Sequence, residues 1–151
     1  MTAAAAGTGV EFRATGMQDL PALATALERA CAQAGADADA ASAVRLATEE
    51  VLTDIFRHGY GDGPGTVAIR IDAAPGQITI TLADQAPAFD PASVAAPDLD
   101  ADWVERPLGG LGWHLVHRMM DEVRREPGPQ GGNVFTLVKK LAARPVNTPN
   151  K

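Results

Sequence analysis

Glu50 and Asp54 stand four residues apart in a segment with a helical apolar stripe, so their carboxylates project from one side of a helix. Arg57 follows three residues later and stands beside Asp54. Carboxylates in this spacing belong either to a ligand site, since the helix stops in a glycine cluster where a loop could approach a ligand, or to a solvated face with an Asp–Arg pair. Asp84 ends an alternating strand, where an ionised carboxylate, being acceptor-only, receives a hydrogen bond from an amino group such as the exocyclic amine of adenine. A turn cap is the plainer role for it. Gly109, Gly110, Leu111 and Gly112 lead into an apolar segment, and glycine-rich backbone at a helix N-terminus offers N–H groups and a positive dipole end to phosphate. Glycines occur there for turn reasons too. Phe89, followed by Asp90 and Pro91, either lines a pocket or anchors its loop.

Other chemistries find little support. His58, His114 and His117 lack metal-ligand spacing, no Ser–His–Asp arrangement stands out, and no G-x-x-x-x-G-K-[ST] loop occurs. Trp103 and Trp113 read as packing or contact residues. Cys31 is the only cysteine, which excludes an intrachain disulfide, and its neighbours Leu27, Ala30 and Ala32 place it on the buried side of a helix. The net charge of -6 argues against a general nucleic-acid binder. Met1–Gly9 lacks the basic start and apolar stretch of a signal peptide, and no run reaches the roughly 18 apolar residues of a membrane span. A cytoplasmic protein that engages neither nucleic acid nor membrane is the simplest expectation.

The elements that must position these residues follow from periodicity. At 151 residues, with 46% hydrophobic and 21% charged residues, one globular core is expected. A short edge strand is expected over 10–15, and a first helix over 19–34, with Leu20, Leu23, Leu27, Ala30 and Cys31 on one side and Gly35 at its end. Asp37 or Asp39 caps a second helix running to about His58, striped by Val44, Ala47, Val51 and Ile55. Val67, Ile69 and Ile71, then Ile78, Ile80 and Leu82, alternate as two paired antiparallel strands. A third helix over 112–120 and two more strands, 122–126 and 133–140, complete the pattern across the turn 127–132. Between lie the proline-rich segment after Asp84 and the acidic residues Asp98, Asp100, Asp102 and Glu105. The order implies an α+β domain over 10–141 between a flexible N-terminus, 1–9, and a flexible tail, 142–151.

Taken in order, Glu49-Glu50-Val51-Leu52-Thr53-Asp54-Ile55-Phe56-Arg57-His58-Gly59-Tyr60, Asp84-Gln85-Ala86-Pro87-Ala88-Phe89-Asp90-Pro91 and Gly109-Gly110-Leu111-Gly112 resemble the GHKL superfamily, the histidine kinase-like ATPases. The likeness is closest to its anti-sigma-factor serine/threonine kinase branch. The resemblance implies a two-layer α/β sandwich of left-handed βαβ type, with a mixed, mostly antiparallel sheet carrying three helices on one face. ATP would lie between the helices and a lid spanning 85–108. Glu50 would be the general base toward a substrate hydroxyl or water, and Asp54 would take the place of an Mg²⁺-binding Asn. Arg57 would lie near the phosphates, Asp84 would read the adenine amine, and Gly110 and Gly112 would admit phosphate to the backbone. Ala86, Phe89, Gly109 and Leu111 complete the implied nucleotide-binding set.

The implied partners are an anti-sigma-factor antagonist, which is phosphorylated, and a sigma factor, commonly with a homodimeric kinase. Two positions depart from the family pattern: Asp54 adds a negative charge beside the triphosphate, and Ala86 stands where a glycine is usual. If that glycine has positive φ or lies against the base, a methyl group strains the loop or crowds the purine. These departures define the alternative expectation, a partner-binding, anti-sigma-like module with weak or no ATP binding.

Overall fold

The structure, a computed structural model, describes residues 8–87 and 108–142. Phe89, Trp103, the acidic stretch 98–105, most of the expected lid and nearly all of both terminal segments lie outside the described residues. The elements run β1 (Thr8–Ala14), α1 (Leu20–Ala34), α2 (Ala38–Asp54), β2 (Val67–Ala74), β3 (Gln77–Asp84), α3 (Leu108–Met119), β4 (Glu122–Pro127) and β5 (Asn133–Lys140).

The five strands form one sheet in the order β1-β2-β3-β5-β4. All four pairings are antiparallel, in line with the α+β fold and the mostly antiparallel sheet expected. Strand alternation sets its two faces. Ile69 pairs with Leu82 and Leu82 with Phe135, while Ile71 pairs with Ile80 and Ile80 with Leu137, which gathers these side chains on one buried face. The intervening Ala68 and Arg70 are exposed. Leu23, Leu27 and Cys31 of α1, Val44, Ala47, Val51 and Leu52 of α2, and Trp113 and Val116 of α3 join the same core cluster. Each large aliphatic side chain so buried contributes about 1.5–3 kcal/mol relative to exposure.

The helix ends follow local chemistry. Asp37 caps α2 by accepting the Ala40 N–H at 2.8 Å. Gly35 closes α1 in the left-handed region at φ 85°. Cys31 is 2% exposed, and burial, with Glu28 second, pushes its thiol up to about 11, so it is the inert core thiol its neighbours suggested.

Two boundaries differ from the sequence reading in ways that matter for the site. The α-helical part of α2 stops at Asp54, and a π-helical turn, Ile55–Gly59, continues it, with the Tyr60 N–H bonded to the Ile55 carbonyl at 2.8 Å. Helix α3 begins at Leu108 rather than at residue 112, so the glycine run lies inside its first turns instead of in a loop ahead of it. No helix among the described residues is long and apolar enough to cross a membrane.

Candidate functional site

A cavity of about 130 Å³ opens where the end of α2 meets the end of β3 and the start of β5. The last residue of α2 brings Asp54 to its wall, the π-helical turn brings Ile55, His58 and Gly59, β3 and the residues after it bring Asp84, Ala86 and Pro87, and β5 brings Asn133 and Phe135. Single π-turns inside helices are rare and recur at functional sites, because the wider turn re-aims the side chains that follow it.

The sheet side of the cavity is a closed hydrogen-bond cluster. Asp84 is 2% exposed, and its Oδ1 accepts both the Ala86 N–H and the Asn133 Nδ2, each at 2.9 Å. Asn133, 1% exposed, also donates from Nδ2 to the carbonyls of Ala86 at 3.4 Å and Pro87 at 3.0 Å. Its Oδ1 accepts from Arg125 Nε at 2.9 Å. Asp84 Oδ2 accepts no hydrogen bond from the described residues. Antiparallel register places Asp84 opposite Asn133, so one ladder position supplies the pair. Gly132 makes that register possible: its φ is 78°, and a Cβ there would collide with the Asp84 carbonyl oxygen. Tyr60 ties the turn after α2 to the same segment, its hydroxyl accepting the Gln85 N–H and donating to the Thr66 carbonyl, both at 2.8 Å.

Ala86 does not strain its loop. Asp62 is the only non-glycine residue with positive φ among the described residues, so Ala86 needs no glycine conformation. Its methyl is buried against Gly59, where an added Cβ would lie 2.9 Å from the Ala86 Cβ. Gly59 is what leaves room for that methyl.

The helix side of the cavity is looser and more highly charged. Asp54 Oδ2 accepts from the indole Nε1 of Trp113 at 2.7 Å, and His58 Nε2 stands 3.7 Å from Oδ1. Burial raises the Asp54 pKa above its ordinary value, and the Trp113 hydrogen bond, His58 and Arg57 oppose that shift. Glu50, one turn earlier, is exposed and lies against Gly112 of α3, where a Cβ would come within 2.6 Å of its Oε1. Gly112 therefore keeps the space that the Glu50 carboxylate occupies. The Trp113 and Phe135 rings stand 5.4 Å apart, so they link the helix side to the sheet side.

Of the expected site residues, Asp54, Asp84 and Ala86 meet at the cavity, and Glu50 meets Gly112 beside it. Arg57 is exposed and is not among the lining residues. Gly109 and Gly110 fall among the N-terminal N–H groups for which a helix supplies no acceptor, whereas Leu111 and Gly112 lie further into α3. Asn133, Gly132 and Tyr60 carry much of the geometry and do not stand out in the sequence. The Gly-Gly pair before the last strand is their one visible signal. Among the described residues no cluster of three or more His, Cys, Asp or Glu side chains surrounds a metal position.

Known proteins resemble this chain in sequence and fold. Residues 13–139 match the histidine kinase-like ATPase domain family. An anti-sigma F factor from a Thermoanaerobacter species is 24% identical over 100 residues, covering 66% of this chain and 70% of that protein. The serine-protein kinase RsbW of Bacillus cereus is 27% identical over 85 residues, covering 54% of this chain and 53% of the kinase. The chain thus matches about half the length of that kinase. A crystal structure of the RsbU and RsbW domains of a Mycobacterium tuberculosis protein superposes with a TM-score of 0.58 at 20% identity, over 90% of this chain and 33% of that one.

Proposed function

This chain belongs to the histidine kinase-like ATPase domain family, and from that premise we propose that it binds ATP and phosphorylates a serine or threonine of a protein partner. The relatives named anti-sigma F factor and serine-protein kinase support an anti-sigma-type kinase. On this reading the substrate is an anti-sigma-factor antagonist, the second partner is a sigma factor, and the protein works in the cytoplasm as a homodimer. The observation that carries the proposal is the convergence on one cavity of Asp54 from α2 and Asp84 from β3, with Glu50 and the glycine-bearing start of α3 beside it.

The roles divide along the cavity. Asp84 Oδ2 takes the adenine amine, since Oδ1 already holds two donors. The N–H groups at the start of α3 take phosphate oxygens. Mg²⁺, when bound with the nucleotide, neutralises charge on the β- and γ-phosphates. The donor set fits it: Mg²⁺ is commonly held by one or two carboxylates together with phosphates and water, and Asp54 Oδ1 is the available oxygen. Glu50 accepts the proton of the partner's hydroxyl as its oxygen attacks the γ-phosphorus. The bond to the β-phosphate oxygen breaks and ADP leaves.

The test is to incubate the protein with ATP, Mg²⁺ and its antagonist and follow phosphoserine or phosphothreonine. Glu50→Ala should bind ATP normally and transfer phosphate roughly a hundred- to ten-thousandfold more slowly. An equally active variant would remove Glu50 from the role of base. One observation favours a second reading, a partner-binding module with weak or no ATP binding: Asp54 adds a negative charge whose Oδ2 is already held by Trp113. Calorimetry with ATP separates the two, and Mg²⁺-dependent micromolar affinity contradicts the second.

A further inference from the structure

We infer that Asn133, backed by Arg125, is the positioning residue that sets base discrimination at this site. The inference rests on the ATP-binding reading above. Asn133 Nδ2 and the Ala86 N–H both occupy Asp84 Oδ1, at 2.9 Å each, which leaves Oδ2 as the only carboxylate oxygen for a ligand. A carboxylate with a single remaining acceptor selects a base that presents a donor and rejects one that presents a carbonyl. The same Nδ2 holds the carbonyls of Ala86 and Pro87, so those acceptors point to the amide instead of competing for the base.

Arg125 fixes the amide from behind. Its Nε donates to Asn133 Oδ1 at 2.9 Å, so the oxygen faces the guanidinium and the nitrogen faces Asp84. This arrangement has a cost. Arg125 Nη2 is a buried side-chain atom without a hydrogen-bond partner, the only one among the described residues. An unsatisfied buried donor on a charged group weakens a fold. A side chain serving stability alone would be better replaced by one lacking that donor. The Nε bond to Asn133 is what the guanidinium contributes in exchange.

Two substitutions at this position separate the contributions. A glutamine Nε2 lies the same number of bonds from the backbone as an arginine Nε, so Arg125→Gln keeps a donor for Asn133 and removes the orphaned nitrogen. Arg125→Met removes both. The experiment measures affinity for ATP and for purine riboside triphosphate, which lacks the 6-amino group, by calorimetry on the full chain and its variants, with thermal unfolding alongside. The wild type should prefer ATP roughly tenfold or more, the value of one well-placed hydrogen bond to a charged acceptor. Asn133→Ala should bring the ratio close to one. Arg125→Met should lower it several-fold, and Arg125→Gln should restore it.

An unchanged ratio in Asn133→Ala or Arg125→Met overturns the inference while the ATP-binding reading stands. Equal weakening toward both nucleotides overturns it too, because that is the signature of a scaffold residue. Should Asn133→Ala not fold, the two Arg125 variants decide alone. A wild-type chain that binds neither nucleotide overturns both this inference and the reading beneath it.

Discussion

The two sides of the cavity are built on different plans. On the sheet side, Asp84, Asn133, Ala86 and Pro87 form a buried cluster fixed by strand register and by a glycine whose conformation leaves no room for a side chain. On the helix side, Glu50 and Arg57 are exposed, Asp54 is half-buried against one indole, and contact between two helices sets the spacing. The contrast separates what is set before a ligand arrives from what is not. On the proposed ATP-binding reading, recognition of a base would be prepared by the fold, whereas Asp54 on the helix side keeps a pKa raised by burial that Trp113, His58 and Arg57 oppose without cancelling.

Removing the centre of the fixed side should have the largest effect. Asp84→Ala deletes the acceptor and strands the Asn133 amide, and should weaken ATP binding about ten- to a hundredfold, corresponding to roughly 1.5–3 kcal/mol for a bond to a charged group. Calorimetry below the unfolding transition checks it. A variant that binds as well as the wild type would end the claim that the sheet side is the recognising side.

Asp54→Asn probes the charged side, and its sign follows from burial. Because burial raises the folded-state pKa of Asp54, the folded protein binds a proton at pH values where the unfolded chain has lost it. The ionised residue therefore costs stability above its raised pKa. Asparagine should raise the unfolding temperature at neutral pH, and that gain should shrink as pH falls through the raised value and vanish below the ordinary value of 3.8. ATP affinity should rise several-fold in the same variant, as a like charge leaves the triphosphate. A melting series from about pH 3 to 8 with parallel titrations reads both, and a gain independent of pH would contradict the desolvation account.

Gly112→Ala should be the smallest perturbation and the most informative about division of labour. A helix interior gains up to about 1 kcal/mol from this change, yet the new methyl displaces the Glu50 carboxylate. Unfolding temperature should rise slightly while phosphotransfer falls and ATP affinity holds. Loss of affinity in proportion to rate would mean that the glycine serves the nucleotide rather than the base.

Much of this molecule is legible in its residues. Alternation at Val67–Ile71 and Ile78–Leu82 locates the central hairpin, and Val44, Ala47, Val51 and Ile55 are all buried where their spacing places them. What escapes is long-range. Asn133 reads only as the first residue of the last strand, and nothing local says that its amide meets a carboxylate 49 residues earlier. The π-turn at Ile55–Gly59 has no sequence signature of its own. Periodicity starts helix α3 four residues late because glycine opposes helix locally, whereas packing against Glu50 and the core holds it.

The β3–β5 pairing has a consequence for how the chain acquires its fold. Strands β2 and β3 meet across a tight turn, with Ala74 opposite Gln77, but Asp84 meets Asn133 only after a 49-residue loop has closed. Short-range pairings form readily, and long closures carry the entropic cost that slows folding. Until that closure is made, Asp84 has no Asn133 opposite it and the cavity lacks its β5 wall. Nucleotide, by binding only the finished arrangement, would act on this late step as a fold-completing ligand, drawing the population across it by mass action.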